Sequence, residues 1–116
     1  MKMNIRTLYI MRDRIMRTMV FFDLPNVYLD DRKNYNKFRK YLLNEGFIMM
    51  QESVYSKLVL NSNQSELLVN RLRKNAPKKG LVQILTITEQ QYSKIMYITG
   101  GGQSKIIDSE DRLVIL

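Results

Sequence analysis

Met19-Val20-Phe21-Phe22-Asp23-Leu24-Pro25 is the stretch from which the rest of the chain can be read. Four consecutive apolar residues, preceded by Thr18, predict a strand over residues 18–23 that is covered on both sides, because a half-exposed strand would alternate. The run ends on a carboxylate, and Pro25 stops further pairing because it has no N–H to give to a ladder. A strand that leaves a core in this way puts an acid at its carboxyl end, within reach of a ligand. Asp23 is therefore the candidate catalytic and metal-ligating residue, with Mg2+ as the cofactor suited to one or two carboxylate oxygens and a substrate's own phosphates. The plainer role stands beside it: a strand-end carboxylate that accepts backbone hydrogen bonds in the following turn.

Composition narrows the chemistry further. The chain has no histidine and no cysteine, which excludes the usual nucleophile triads, an imidazole base, thiolate zinc, iron–sulfur clusters and disulfides. A length of 116 residues fits one domain but leaves little room for a deep cavity, so a site shared between subunits becomes attractive. No apolar stretch approaches the roughly 20 residues that cross a bilayer, and the start lacks a secretory signal pattern. A soluble cytoplasmic protein without a membrane partner is expected.

Nineteen basic residues against eleven acidic ones leave a net charge of +8, and the excess is clustered. Arg12, Arg14 and Arg17 precede the first strand; Arg32, Lys33, Lys37, Arg39 and Lys40 form a second block; Arg71, Arg73, Lys74, Lys78 and Lys79 form a third. No acid interrupts the last two. Phosphate backbone is the natural partner for such blocks, and a solvated surface is the bland alternative. Arg12, Arg14, Arg17, Lys33, Lys37, Arg39, Lys40, Lys78 and Lys79 are the candidate nucleic-acid contacts.

Along the chain, residues 1–16 show no clean period and are read as a basic N-terminal extension. A loop over 24–29 leads to a helix capped by Asp30 or Asp31 and ending near residue 44, with Tyr35, Phe38, Tyr41 and Leu42 on one face and Gly46 as its left-handed stop. Short strands are expected over 47–51 and 53–60, with Gln51 and Ser53 serving the bend rather than chemistry. Asn63 and Glu66 suggest a capping box for a second helix that turns Leu67, Leu68 and Leu72 to the sheet. Residues 81–88 read as a strand covered on most of both sides, Thr88 and Gln91 as a capping box for one short turn, and 95–98 as strand-like. The glycines at 100–102 lack the Gly-Lys-Ser/Thr of a phosphate loop and read as a hinge. A short strand over 112–116 would then pair with another subunit's sheet edge. Tyr35 and Tyr41 share the helix's apolar face and are assigned to the core rather than to base stacking, and the methionines Met49, Met50 and Met96 to adaptable packing.

Strand, helix, strand, strand, helix, strand is the ferredoxin-like βαββαβ order, an α+β fold with an antiparallel sheet and both helices on one face. It would occupy residues 17–99, with 100–116 as hinge and extension strand. Its open face needs a cover, and a homodimer that stacks two sheets would supply one while bringing Asp23 of each copy toward a common axis.

Taken in order, Phe22-Asp23-Leu24-Pro25, the basic helix ending Leu43-Asn44-Glu45-Gly46-Phe47, and Gln51-Glu52-Ser53-Val54-Tyr55 resemble the CRISPR-associated Cas two family, the small subunit of the spacer-acquisition complex. Ser53-Val54-Tyr55-Ser56-Lys57-Leu58, Asn75-Ala76-Pro77-Lys78-Lys79-Gly80, Thr86-Ile87-Thr88-Glu89 and Asp111-Arg112-Leu113-Val114-Ile115-Leu116 resemble its type II members. The resemblance implies a homodimer that sits between two dimers of the Cas one integrase and supports double-stranded DNA. It also implies the alternative activity of the family, a Mg-dependent endonuclease on RNA or DNA with Asp23 as metal ligand, for which single-stranded RNA is a substrate class. A toxin-like RNA nuclease or small RNA-binding regulator of similar fold ranks third. Phe22 stands where the family often has tyrosine, and the residues before Thr18 inherit no role from the resemblance.

Overall fold

The computed structural model describes residue 4 and residues 15–101. Arg12, Arg14, the expected terminal strand over 112–116 and most of the N-terminal extension lie outside the described residues. Strand β1 (Met16–Asp23) is followed by helix α1 (Leu29–Glu45), strands β2 (Ile48–Gln51) and β3 (Val54–Val59), helix α2 (Ser62–Asn75), strand β4 (Leu81–Thr88) and the single turn α3 (Glu89–Tyr92). The sheet order β2-β3-β1-β4 is antiparallel throughout, which is the ferredoxin-like arrangement expected from the element order. β1 lies in the middle, as its unbroken apolar run requires.

Even-numbered residues of β1 face the helices. Val20 and Phe22 join Phe38 and Leu42 of α1, Phe47, Tyr55 and Val59, and Leu68 and Leu72 of α2 in one core, each such side chain contributing about 1.5–3 kcal/mol by its removal from water. Phe22 meets Phe38 edge-on at 5.3 Å and lies 5.5 Å from Tyr35. Tyr35 and Tyr41 pack against this cluster, so their assignment to the core holds, and Tyr55 is buried as well. Thr18, fully buried, shares a hydroxyl cluster with Ser65 and Thr86 at 3.1–3.4 Å, which satisfies all three groups without water.

Several boundaries differ from the sequence reading, each for a local reason. Helix α1 starts at Leu29 with Tyr28 as its N-cap residue, and Asp31 acts from inside the helix by accepting the Tyr28 N–H at 3.2 Å. Helix α2 is capped by Asn61 rather than Asn63. The Asn61 side chain accepts the Gln64 N–H at 2.9 Å while Gln64 accepts the Leu60 N–H, and this shifts the buried positions to Ser65, Leu68 and Leu72 and leaves Leu67 exposed. Gly46 is left-handed at φ 100°, and Thr88 and Gln91 cap each other reciprocally, both as expected. Residues 95–98 are not a strand, because the N–H groups of Ser93, Lys94 and Ile95 bond back to Glu89, Gln91 and Tyr92 and turn the chain away from the sheet. The glycine run begins as a packed turn: Gly100 has φ 93°, and a Cβ on buried Gly101 would lie 2.4 Å from the Tyr97 ring.

The C-terminal end of α1 is tied to α2 and β3 through one acid. Glu45 accepts two hydrogen bonds from Arg71, the shorter 2.7 Å, and one from the Tyr41 hydroxyl at 2.9 Å, with Lys57 at 3.8 Å. The Arg71 hydrogen bonds hold the Glu45 carboxyl below the usual carboxylate range against the opposing effect of burial, and burial with Glu45 alongside pushes Tyr41 up to about 12. A carboxyl lowered in the fold stabilises the protein above its unfolded pKa and stops doing so as pH falls through the folded value. Glu45→Gln is therefore expected to lower the denaturation midpoint at pH 7, and its difference from the wild type to shrink as pH falls below the usual carboxylate range, as followed by urea titration across that range.

Candidate nucleic-acid interface and strand-end carboxylate

Asp23 ends β1 paired with Leu81, the first residue of β4, and its side chain is exposed. The chain then passes through Leu24 and Pro25 against the loop that enters β4. This approach is close. Gly80 has φ 92°, and a Cβ there would lie 2.7 Å from the Asp23 carbonyl oxygen and 2.9 Å from Leu24, so only glycine seats the two loops together. Lys79 and Pro77 from one loop, Leu24 and Pro25 from the other, and Asp31 and Asn34 of α1 line a small cleft beside them. One end of the domain thus carries Asp23, the N-terminal turn of α1 and Lys78 and Lys79.

Among the described residues no three acids gather as a metal cluster. Asp23 in a single copy therefore fits Mg2+ only where a second copy or substrate phosphates add the remaining oxygens.

The cations divide into two groups. Lys33, Lys37, Arg39 and Lys40 are exposed on α1, and none takes part in an ion pair among the described residues. Lys33, Lys37 and Lys40 recur at helical spacing, so they run along the helix over about 10 Å at 1.5 Å per residue. Lys78 and Lys79 are likewise exposed and unpaired among the described residues. Arg17, the other described candidate, sits in a different setting. It is 8% exposed, its Nε and one terminal nitrogen grip both oxygens of Glu89 at 2.9 and 2.8 Å, its other nitrogen donates to Ser56 at 2.8 Å, and its guanidinium lies 4.1 Å from the Tyr92 ring centroid. Buried, and bonded to Glu89 and Ser56, Arg17 anchors α3 to the sheet.

The sheet face opposite the helices is buried at Arg17, Met19 and Ser56 and exposed around them. Cross-strand partners share a face, so the register places Met19 with Ser56 and Leu85, and Arg17 with Leu58 and Ile87, on this side. Ile48, Met50, Leu58, Leu81 and Leu85 are exposed there, while α3 covers only the corner around Arg17. β4, expected to be covered on most of both sides, alternates between exposed and half-buried from Leu81 to Leu85 in the single copy and is half-buried from Thr86 to Thr88.

Set against known proteins, residues 16–95 match the model of the family described as CRISPR associated protein Cas2. The chain belongs to the Cas2 family. It is 50% identical to the CRISPR-associated endoribonuclease Cas2 of Treponema denticola over 101 residues, which cover 87% of this chain and all of that one. It is 48% identical to the protein of the same description from Streptococcus mutans UA159, over 87% of this chain and 93% of the relative, and 43% identical to that of Ligilactobacillus salivarius, over 87% and 100%. The Cas2 match spans the whole described sheet and both long helices, so Asp23 and the α1 cations lie inside the region shared with the family. No helix among the described residues is long and apolar enough to cross a membrane.

Two features of this end of the domain have no counterpart in the sequence reading. Gly80 is one, although a glycine directly after Lys78-Lys79 and before a strand signals a close backbone approach. The exposed trio Val27, Tyr28 and Leu29 is the other, although three apolar residues in a loop are themselves a signal of contact.

Proposed function

We propose that the chain is the architectural subunit of spacer acquisition: a homodimer that binds the backbone of double-stranded DNA and bridges two dimers of the Cas one integrase in the cytoplasm. The observation that carries this reading is the unpaired row of Lys33, Lys37, Arg39 and Lys40 on the outer helix. Charges that serve the fold find partners, as Arg17 and Arg71 do; these four find none among the described residues. Backbone contacts from such a row tolerate any sequence, which suits a subunit that must accept arbitrary spacers. The apolar side chains exposed on this sheet face support the dimer, because a soluble monomer rarely leaves so many large side chains on one surface. Stacking two sheets through this face would place equal cation rows on both outer sides.

A second reading rests on the exposed carboxylate of Asp23 and on relatives described as endoribonucleases. In it, Asp23 of two copies holds Mg2+, which when bound supplies Lewis-acid activation of a water for phosphodiester hydrolysis of RNA or DNA. This chain's own part would be to present the carboxylate at a fixed strand end and to hold flanking phosphates with Lys78 and Lys79.

Asp23→Ala separates the two. The side chain is exposed and makes no hydrogen bond or ion pair among the described residues, so folding should be untouched. The variant is expected to lose Mg-dependent cleavage of labelled RNA by at least about a hundredfold while retaining DNA binding and spacer integration with its integrase. Integration abolished together with cleavage would instead make the hydrolytic chemistry the primary role.

A further inference from the structure

Val27, Tyr28 and Leu29 are 76, 74 and 75% exposed, on the loop that joins the strand ending in Asp23 to helix α1. Tyr28 makes no side-chain cap hydrogen bond. Tyr28 occupies an N-cap position with extended backbone, where a short oxygen-bearing side chain would ordinarily accept an N–H of the first turn. The local need is met from the other direction by Asp31, which accepts the Tyr28 N–H. Among the described residues the ring belongs to no aromatic pair, unlike Tyr35, Tyr41 and Tyr55.

The same end of the domain carries exposed cations. Arg32, whose Nε reaches the Asn26 carbonyl at 3.5 Å, and Lys33 follow within the first turns of α1, and the loop bearing Lys78 and Lys79 packs against Leu24 and Pro25 at the same end. Against these four stand exposed Asp23 and Asp30, while Asp31 is buried and committed to the helix start.

We propose that Tyr28, flanked by Val27 and Leu29, is a stacking platform for an unpaired nucleobase, with Arg32, Lys33, Lys78 and Lys79 meeting the adjoining phosphates. An aromatic face beside a basic track is how single strands are held without sequence preference, and aliphatic neighbours can wedge against a frayed step. The base must be unpaired, because both faces of a base inside a duplex are already covered. The site thus adds recognition of single strands and open duplex ends to the end of the domain that carries Asp23. This inference rests on the nucleic-acid-binding reading above.

The chain contains no tryptophan, so Tyr28→Trp introduces a single reporter at the site. Its emission is expected to be quenched by a thymidine oligonucleotide and to stay constant with a relaxed, covalently closed double-stranded DNA circle, which has neither ends nor loops. Tyr28→Ser, which installs a favoured capping residue and so protects folding, is expected to weaken oligonucleotide binding at least about fivefold and to leave circle binding unchanged. Equal quenching by both ligands, or unchanged oligonucleotide affinity in Tyr28→Ser, overturns the proposal while circle binding keeps the wider reading alive. A reporter signal that follows protein concentration without nucleic acid assigns the patch to a second copy and likewise overturns it. Wild-type protein that binds neither ligand brings down both.

Discussion

Leu85→Asp is expected to leave the protein folded but monomeric. Leu85 sits near the middle of β4, opposite Met19 of β1, and is already 51% exposed in the single copy, so a carboxylate there costs the isolated domain little. In a dimer formed through this face the same position would be buried twice. Losing the remaining half-burial of two leucines removes about 1.5–3 kcal/mol, and the two stranded carboxylates oppose association further. Sedimentation should show dimer affinity reduced at least roughly a hundredfold. Spacer integration should fail in the same variant, since one copy cannot bridge two integrase dimers, although each copy keeps its cation row. A variant that stays dimeric would place the interface elsewhere on the molecule.

The second large effect is electrostatic. Lys37→Glu combined with Lys40→Glu reverses two adjacent charges of the α1 row, both exposed and outside every ion pair among the described residues. Each phosphate that is no longer neutralised takes about 0.9 off the slope of log affinity against log salt. The double variant should therefore flatten that slope by about 2 for each copy engaged, and duplex affinity at low salt should fall by more than an order of magnitude. Thermal stability should barely move, because neither lysine holds a partner within the described fold. Unchanged affinity at both low and high salt would remove the α1 row from the interface.

How much of this was legible in the sequence depended on which forces act locally. β1, the left-handed stop at Gly46, the boundaries of β4 and the Thr88–Gln91 cap were readable because periodicity, glycine and capping chemistry are written in neighbouring residues. The ferredoxin-like order followed from them. The α2 start was misplaced by two residues because Asn61 and Asn63 offer the same side chain, and only the Gln64 amide shows which is used. Residues 95–98 look like a strand by composition and are not one, since the bonds that close the turn after α3 outweigh β-propensity once no sheet partner is adjacent.

The candidate site was legible in kind but not in arrangement. An exposed carboxylate at the end of β1 and an unpaired basic helix both follow from local pattern. That Arg17 turns inward does not, because its partners Glu89 and Ser56 lie 72 and 39 residues away and no local pattern links them. The same holds for Gly80, whose need for a missing side chain arises only when the Asp23 carbonyl is brought against it.

The bridging role proposed for this chain depends on two copies meeting as a dimer. Light scattering on the wild-type protein at micromolar concentration tests this most directly. The account predicts a mass of twice the 13.8 kDa of one chain, and a stable mass of 13.8 kDa would contradict it.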